Sequence, residues 1–120
     1  MRKMSLLPVA LLSCIGTGVF ASELDFTLVN QTGYDIRAIY IDPDSSSVWT
    51  DDIMGADILV DGDAVHINFA AGLDTCIWDL KVDWMEDYDA AVWVQLNLCD
   101  ISEVTLEYNA ETEETIAYTE

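Results

Sequence analysis

Four acids, Asp83, Glu86, Asp87 and Asp89, crowd one short stretch between two strongly apolar segments. Carboxylates held that close repel one another unless a cation offsets the charge. Calcium suits them, because it takes about six to eight oxygens from carboxylates and carbonyls in loops that can wrap an ion. These four residues are therefore the expected metal site. Asp42, Asp44, Asp51 and Asp52 form a second acidic cluster, and Asp57, Asp61 and Asp63 a third. None follows the EF-hand spacing, which also needs a terminal bidentate Glu. The competing reading is a general acidic surface, as in proteins adapted to high salt, where repulsion is screened over about 3 Å near 1 M.

Other chemistries are poorly served. His66 is the only histidine, and it alternates with Val65 and Ile67, which turns it towards solvent. No nucleophile elbow accompanies it, so no Ser-His-Asp arrangement can be drawn. Zinc would need more ligands than one His and two distant cysteines supply. Glycine-rich phosphate loops are absent, and the net charge opposes phosphate ligands. Paired carboxylates for glycoside hydrolysis can be found in any chain with 23 acids, so that signal decides nothing. Trp49, beside a serine run and Asp51-Asp52, is the best candidate for an exposed binding residue.

The elements that must position these groups lie in a chain of 120 residues, with 23 Asp and Glu against 4 Lys and Arg and a formal charge of -19. A hydrophobic fraction of 52% argues against disorder, which usually goes with few apolar residues. So strong a negative charge argues against nucleic acid and anionic membrane surfaces as partners. Arg2 and Lys3 precede an apolar run from Leu6 to Phe20, and Val19-Phe20-Ala21 offers a small-residue cleavage site. Residues 1–21 thus read as a signal peptide, which implies a periplasmic or secreted protein. The run is too short and too rich in Gly and Ser for a membrane span. Leu11-Leu12-Ser13-Cys14 also loosely fits a lipoprotein box, which would leave a lipidated Cys14. After cleavage at Ala21, two basic residues, Arg37 and Lys81, stand against all 23 acids.

Residues 22–120 read as one all-β domain. β-Branched and aromatic residues recur in short alternating runs separated by turn signals. Leu24 to Asn30 is the first expected strand, and in Tyr34 to Asp42 the residues Tyr34, Ile36, Ala38 and Tyr40 share a face. Ile58 to Val60 leads into the turn at Asp61-Gly62-Asp63, and Ala64 to Ala70 puts Val65, Ile67 and Phe69 on one side. Cys76 to Trp84 alternates most clearly, with Trp78, Leu80, Val82 and Trp84 together. Ala90 to Cys99, Glu103 to Tyr108 and an edge strand at Thr115 to Tyr118 complete the set. An antiparallel β-sandwich, or a small barrel, is the expected architecture. Trp78, Trp84 and Trp93 belong to its core.

Cys76 and Cys99 remain after cleavage, an even number in an oxidising compartment, and should pair. Such a disulfide would add roughly 3 kcal/mol. Strict alternation points the two cysteines to opposite faces. A bulge near Cys99, or pairing across two sheets, would reconcile them.

With these elements placed, the chain resembles a family of small exported bacterial all-β proteins whose members often carry the label argininosuccinate lyase. The resemblance rests on Asn30-Gln31-Thr32-Gly33, Trp49 with Asp52, Leu59 with Gly62, Cys76-Ile77-Trp78-Asp79-Leu80-Lys81-Val82, and Asn97-Leu98-Cys99. It implies export, a β fold and the cysteine pair. The label itself does not carry over: that lyase is built of long helices in a chain several times this length, and none of its signature matches a residue here. The expected function is a non-enzymatic, exported acidic binding module that takes a divalent cation or a basic protein surface. The rivals are a small carboxylate-dependent hydrolase or lyase, and a salt-adapted structural envelope protein.

Overall fold

The structure is a computed structural model that describes residues 22–120. The signal-peptide and Cys14 readings lie outside the described residues. Seven strands run in order: β1 Phe26–Gln31, β2 Ile36–Pro43, β3 Ala64–Ile67, β4 Ile77–Trp84, β5 Ala91–Asn97, β6 Glu103–Asn109 and β7 Glu114–Thr119. They form a four-stranded sheet in the order β3-β1-β6-β7 and a three-stranded sheet in the order β2-β4-β5. The all-β expectation holds. The Ile58 to Val60 segment gives only an isolated bridge, Leu59 to Ile36.

Alternation explains how the sheets meet. Phe26, Leu28, Val104 and Leu106 are fully buried on the inner face of one sheet, and Ile39, Leu80 and Val82 on that of the other. All belong to a single apolar cluster. Each such side chain contributes about 1.5–3 kcal/mol when removed from water. Trp78 and Trp84 close the core at 5% and 7% exposure, and Trp93 packs against it from β5.

Three features depart from simple alternation. First, β1 and β6 pair in parallel, Thr27 with Glu103 through Gln31 with Glu107, in a fold otherwise antiparallel. Parallel neighbours need a long crossover. Strands β2 to β5 supply it, because they lie between the pair in sequence. Second, Ile36 pairs with Trp84 and Ala38 with Asp83, so Arg37 is the extra residue of a bulge. The bulge reverses the phase of β2: Ala38 and Ile39 are both buried, and Tyr40 faces outward. The shared face read for Tyr34, Ile36, Ala38 and Tyr40 is therefore corrected, because a one-residue insertion exchanges the faces beyond it.

Third, Trp78 pairs with Leu96 but Leu80 with Trp93, which places a second bulge in β5. Gln95 there has φ 59°. Its N–H donates to Asp79 Oδ1 at 2.9 Å, fixing the bulge from the neighbouring strand. Beyond it, Leu98 N–H donates to Cys76 O at 2.8 Å and Asp100 N–H to Asn97 O at 3.1 Å. That turn carries Cys99 back onto Cys76, and the two are disulfide-bonded with Cα atoms 5.3 Å apart. Both cysteines lie at one end of the same sheet, so the bulge, not pairing across sheets, resolves their opposition.

Candidate functional site

Many of the acids hold the loops. Asp52 Oδ1 accepts from Ile39 N–H at 2.9 Å and from Met54 N–H at 3.0 Å. Asp42, only 5% exposed, accepts from Thr50 N–H at 3.0 Å and from its hydroxyl at 2.6 Å. Asp25 Oδ1 takes Phe69 N–H at 2.7 Å, and Asp61 Oδ1 takes Gly33 N–H at 2.7 Å. Loop N–H groups need such partners, and an ionised carboxylate is a strong acceptor. The second and third acidic clusters are thus partly spent on backbone, a role that composition alone does not reveal.

The outer face of the three-stranded sheet gathers the cations. Tyr40 pairs with Lys81 across β2 and β4. The Lys81 ammonium lies 5.1 Å from the centre of the Tyr40 ring and 5.8 Å from that of Trp49. Trp49 therefore stands half-buried against Tyr40, its ring centre 6.5 Å away. Arg37 Nη2 is 3.6 Å from Asp83 Oδ2, and Arg37 Nε donates to Trp84 O at 3.4 Å. Burial, then the charges of Asp83 and Asp52, push the Tyr40 phenol above its ordinary range, against the lowering effect of Arg37. Nearby, the interaction with Asp79 raises the Asp44 carboxyl above its usual value, desolvation adds to the rise, and Gln95 opposes it.

The four residues expected to bind a metal separate into two kinds. Asp83 sits on the outer face of β4 and engages Arg37, whereas Glu86, Asp87 and Asp89 project from the β4–β5 connection and are exposed. That connection is pinned by Trp84 Nε1, which donates to Asp89 O at 3.1 Å, and by Tyr88 N–H, which donates to Glu86 O at 2.8 Å. Among the described residues, no group of three or more His, Cys, Asp or Glu is arranged to hold a metal ion. His66 is exposed on β3, and its Nδ1 lies 3.0 Å from Thr27 Oγ1, a cross-strand hydrogen bond.

Next to this connection lies a feature the sequence reading missed. Tyr34 is bracketed by Tyr88, ring centres 5.5 Å apart at 79°, and by Tyr108, 5.6 Å apart at 88°. Trp84 meets Tyr34 from the core side at 6.4 Å. Buried Asn30 and Thr32 fix its backbone: Asn30 Nδ2 donates to Tyr34 O at 2.8 Å, and the Thr32 hydroxyl, whose proton goes to Asn30 Oδ1 at 2.7 Å, lies 3.0 Å from the same oxygen. Thr32 Oγ1 also accepts Tyr34 N–H at 3.1 Å. Within the Asn30-Gln31-Thr32-Gly33 stretch, Asn30 and Thr32 thus form a buried polar clamp.

Compared with family models, curated proteins and solved structures, the chain matches none.

Proposed function

We propose that the protein is an exported, non-enzymatic acidic module that binds a positively charged partner. One observation carries this reading: both cations of residues 22–120 are engaged within the fold. Arg37 faces Asp83, and Lys81 lies over Tyr40 and Trp49. Glu86, Asp87 and Asp89 meanwhile point their carboxylates outward from one connection. An unbalanced field of this kind attracts basic groups and speeds their association.

The enzyme alternative would need a carboxylate of raised pKa inside a pocket, and the Asp44 carboxyl, which Asp79 raises, does not line the niche between Asp42, Trp49 and Asp79.

The test is a titration of a lysine-rich peptide into the protein, followed by amide chemical shifts. The reading expects changes concentrated on the β4–β5 connection and weakened by salt. Uniform small changes over every acidic loop would leave only a general acidic surface and overturn it.

A further inference from the structure

Three tyrosines from three distant parts of the chain meet at one end of the sandwich. Tyr34 precedes β2, Tyr88 lies in the β4–β5 connection, and Tyr108 is near the end of β6. The core does not require all of this aromatic surface. Tyr88 keeps 57% of its surface exposed and Tyr108 36%. Both rings stand nearly perpendicular to Tyr34, at 79° and 88°. The Asn30 and Thr32 hydrogen bonds hold Tyr34 in place beforehand, so little ordering is left for a ligand to bring about.

Each of the three tyrosines has an acid as a neighbour in the chain. Asp35 adjoins Tyr34, Glu107 adjoins Tyr108, and Glu86, Asp87 and Asp89 flank Tyr88. Glu86 is the main cause of a Tyr88 phenol raised above its ordinary value, with burial and the two other tyrosines adding to it. Aromatic faces attract weakly hydrated organic cations, and the carboxylates around them reinforce that attraction. A divalent metal would instead seek the carboxylate oxygens directly. Resting on the reading of a positively charged partner, we propose that Tyr34, Tyr88 and Tyr108 form a receptor for a quaternary ammonium group that carries no phosphate.

The experiment titrates choline, its uncharged isostere dimethylbutanol and phosphocholine into the protein while the tyrosine ring resonances are followed. Choline should perturb the rings of Tyr34, Tyr88 and Tyr108, and the neutral isostere should bind about fivefold more weakly. Phosphocholine should also bind more weakly than choline, because the surrounding acids repel its phosphate; tighter binding would point to a lipid headgroup and overturn the choice of ligand. Tyr88→Leu should lose choline binding by at least the same factor without lowering the thermal midpoint, and Tyr88→Phe, which keeps the ring, should retain it. Equal affinity for choline and its isostere, or equal loss in the Leu and Phe variants, would overturn the inference. A lysine-rich peptide titrated in parallel separates the two claims. If it binds the β4–β5 connection while choline leaves the rings unmoved, the receptor fails and the wider reading stands; if it does not bind, the wider reading fails too.

Discussion

Arg37 and Asp83 lie opposite each other with Nη2 and Oδ2 3.6 Å apart, and a β-bulge brings them together. Arg37 is the unpaired residue between Ile36 and Ala38, so it leaves the ladder and leans over the outer face of β4. One acid of the expected metal quartet is thereby committed to a cation that the chain supplies itself.

Replacing Arg37 with Gln should change stability by no more than about 1 kcal/mol, because the guanidinium is 59% exposed and such pairs are weak in water. Its electrical effect should be clearer. Arg37 lowers the Tyr40 phenol pKa while Asp83 and Asp52 raise it, so the variant should ionise Tyr40 at higher pH. Ultraviolet absorbance titration reads this directly.

Asn30 is fully buried, and its amide serves Tyr34 O and Leu59 O while its Oδ1 accepts from Thr32 N–H and hydroxyl. Asn30→Ala should cost about 3 kcal/mol, because it strands buried polar groups that each carry a penalty of about 1–3 kcal/mol. Urea unfolding measures it. A loss below about 1 kcal/mol would mean that water replaces the clamp.

The Asp44 carboxyl is raised in the folded protein by Asp79. The folded state therefore holds this proton more tightly than the unfolded chain, whose reference value is 3.8. The sign follows: this group's contribution to stability is fully present below 3.8 and is lost as pH rises through the higher folded value. Asp44→Asn should stabilise the protein at neutral pH and flatten its acid-side profile, as read from thermal midpoints across pH.

Reducing the Cys76–Cys99 bond, which spans a sequence separation of 23, should lower stability by about 3 kcal/mol. Unfolding curves with and without reductant, compared with the Cys76→Ala/Cys99→Ala double variant, give the value.

Much of this fold was legible because its strands alternate cleanly. Val65, Ile67 and Phe69, and then Trp78 to Trp84, turn to the core as their spacing requires. The bulges at Arg37 and Gln95 were not legible as such, since one extra residue leaves composition and turn signals unchanged while it exchanges faces. The acids were hard for another reason. Asp42 and Asp52 bond loop N–H groups, and only loop geometry decides whether a carboxylate meets a backbone donor or a cation. Tyr34, Tyr88 and Tyr108 are far apart in sequence, so their meeting is a product of the packed sheets alone.

The central claim is that the outward acids of the β4–β5 connection receive a basic protein partner. Calorimetric titration of a lysine-rich peptide into the protein and into its Glu86→Gln/Asp87→Asn/Asp89→Asn variant tests it most directly, with calcium as a second titrant at matched ionic strength. The binding reading expects the variant to bind the peptide at least about tenfold more weakly, with a shallower salt dependence, as lost contacts of about 1.4 kcal/mol would give. Equal peptide affinity in both proteins, or strong binding of calcium alone that the variant abolishes, would contradict it.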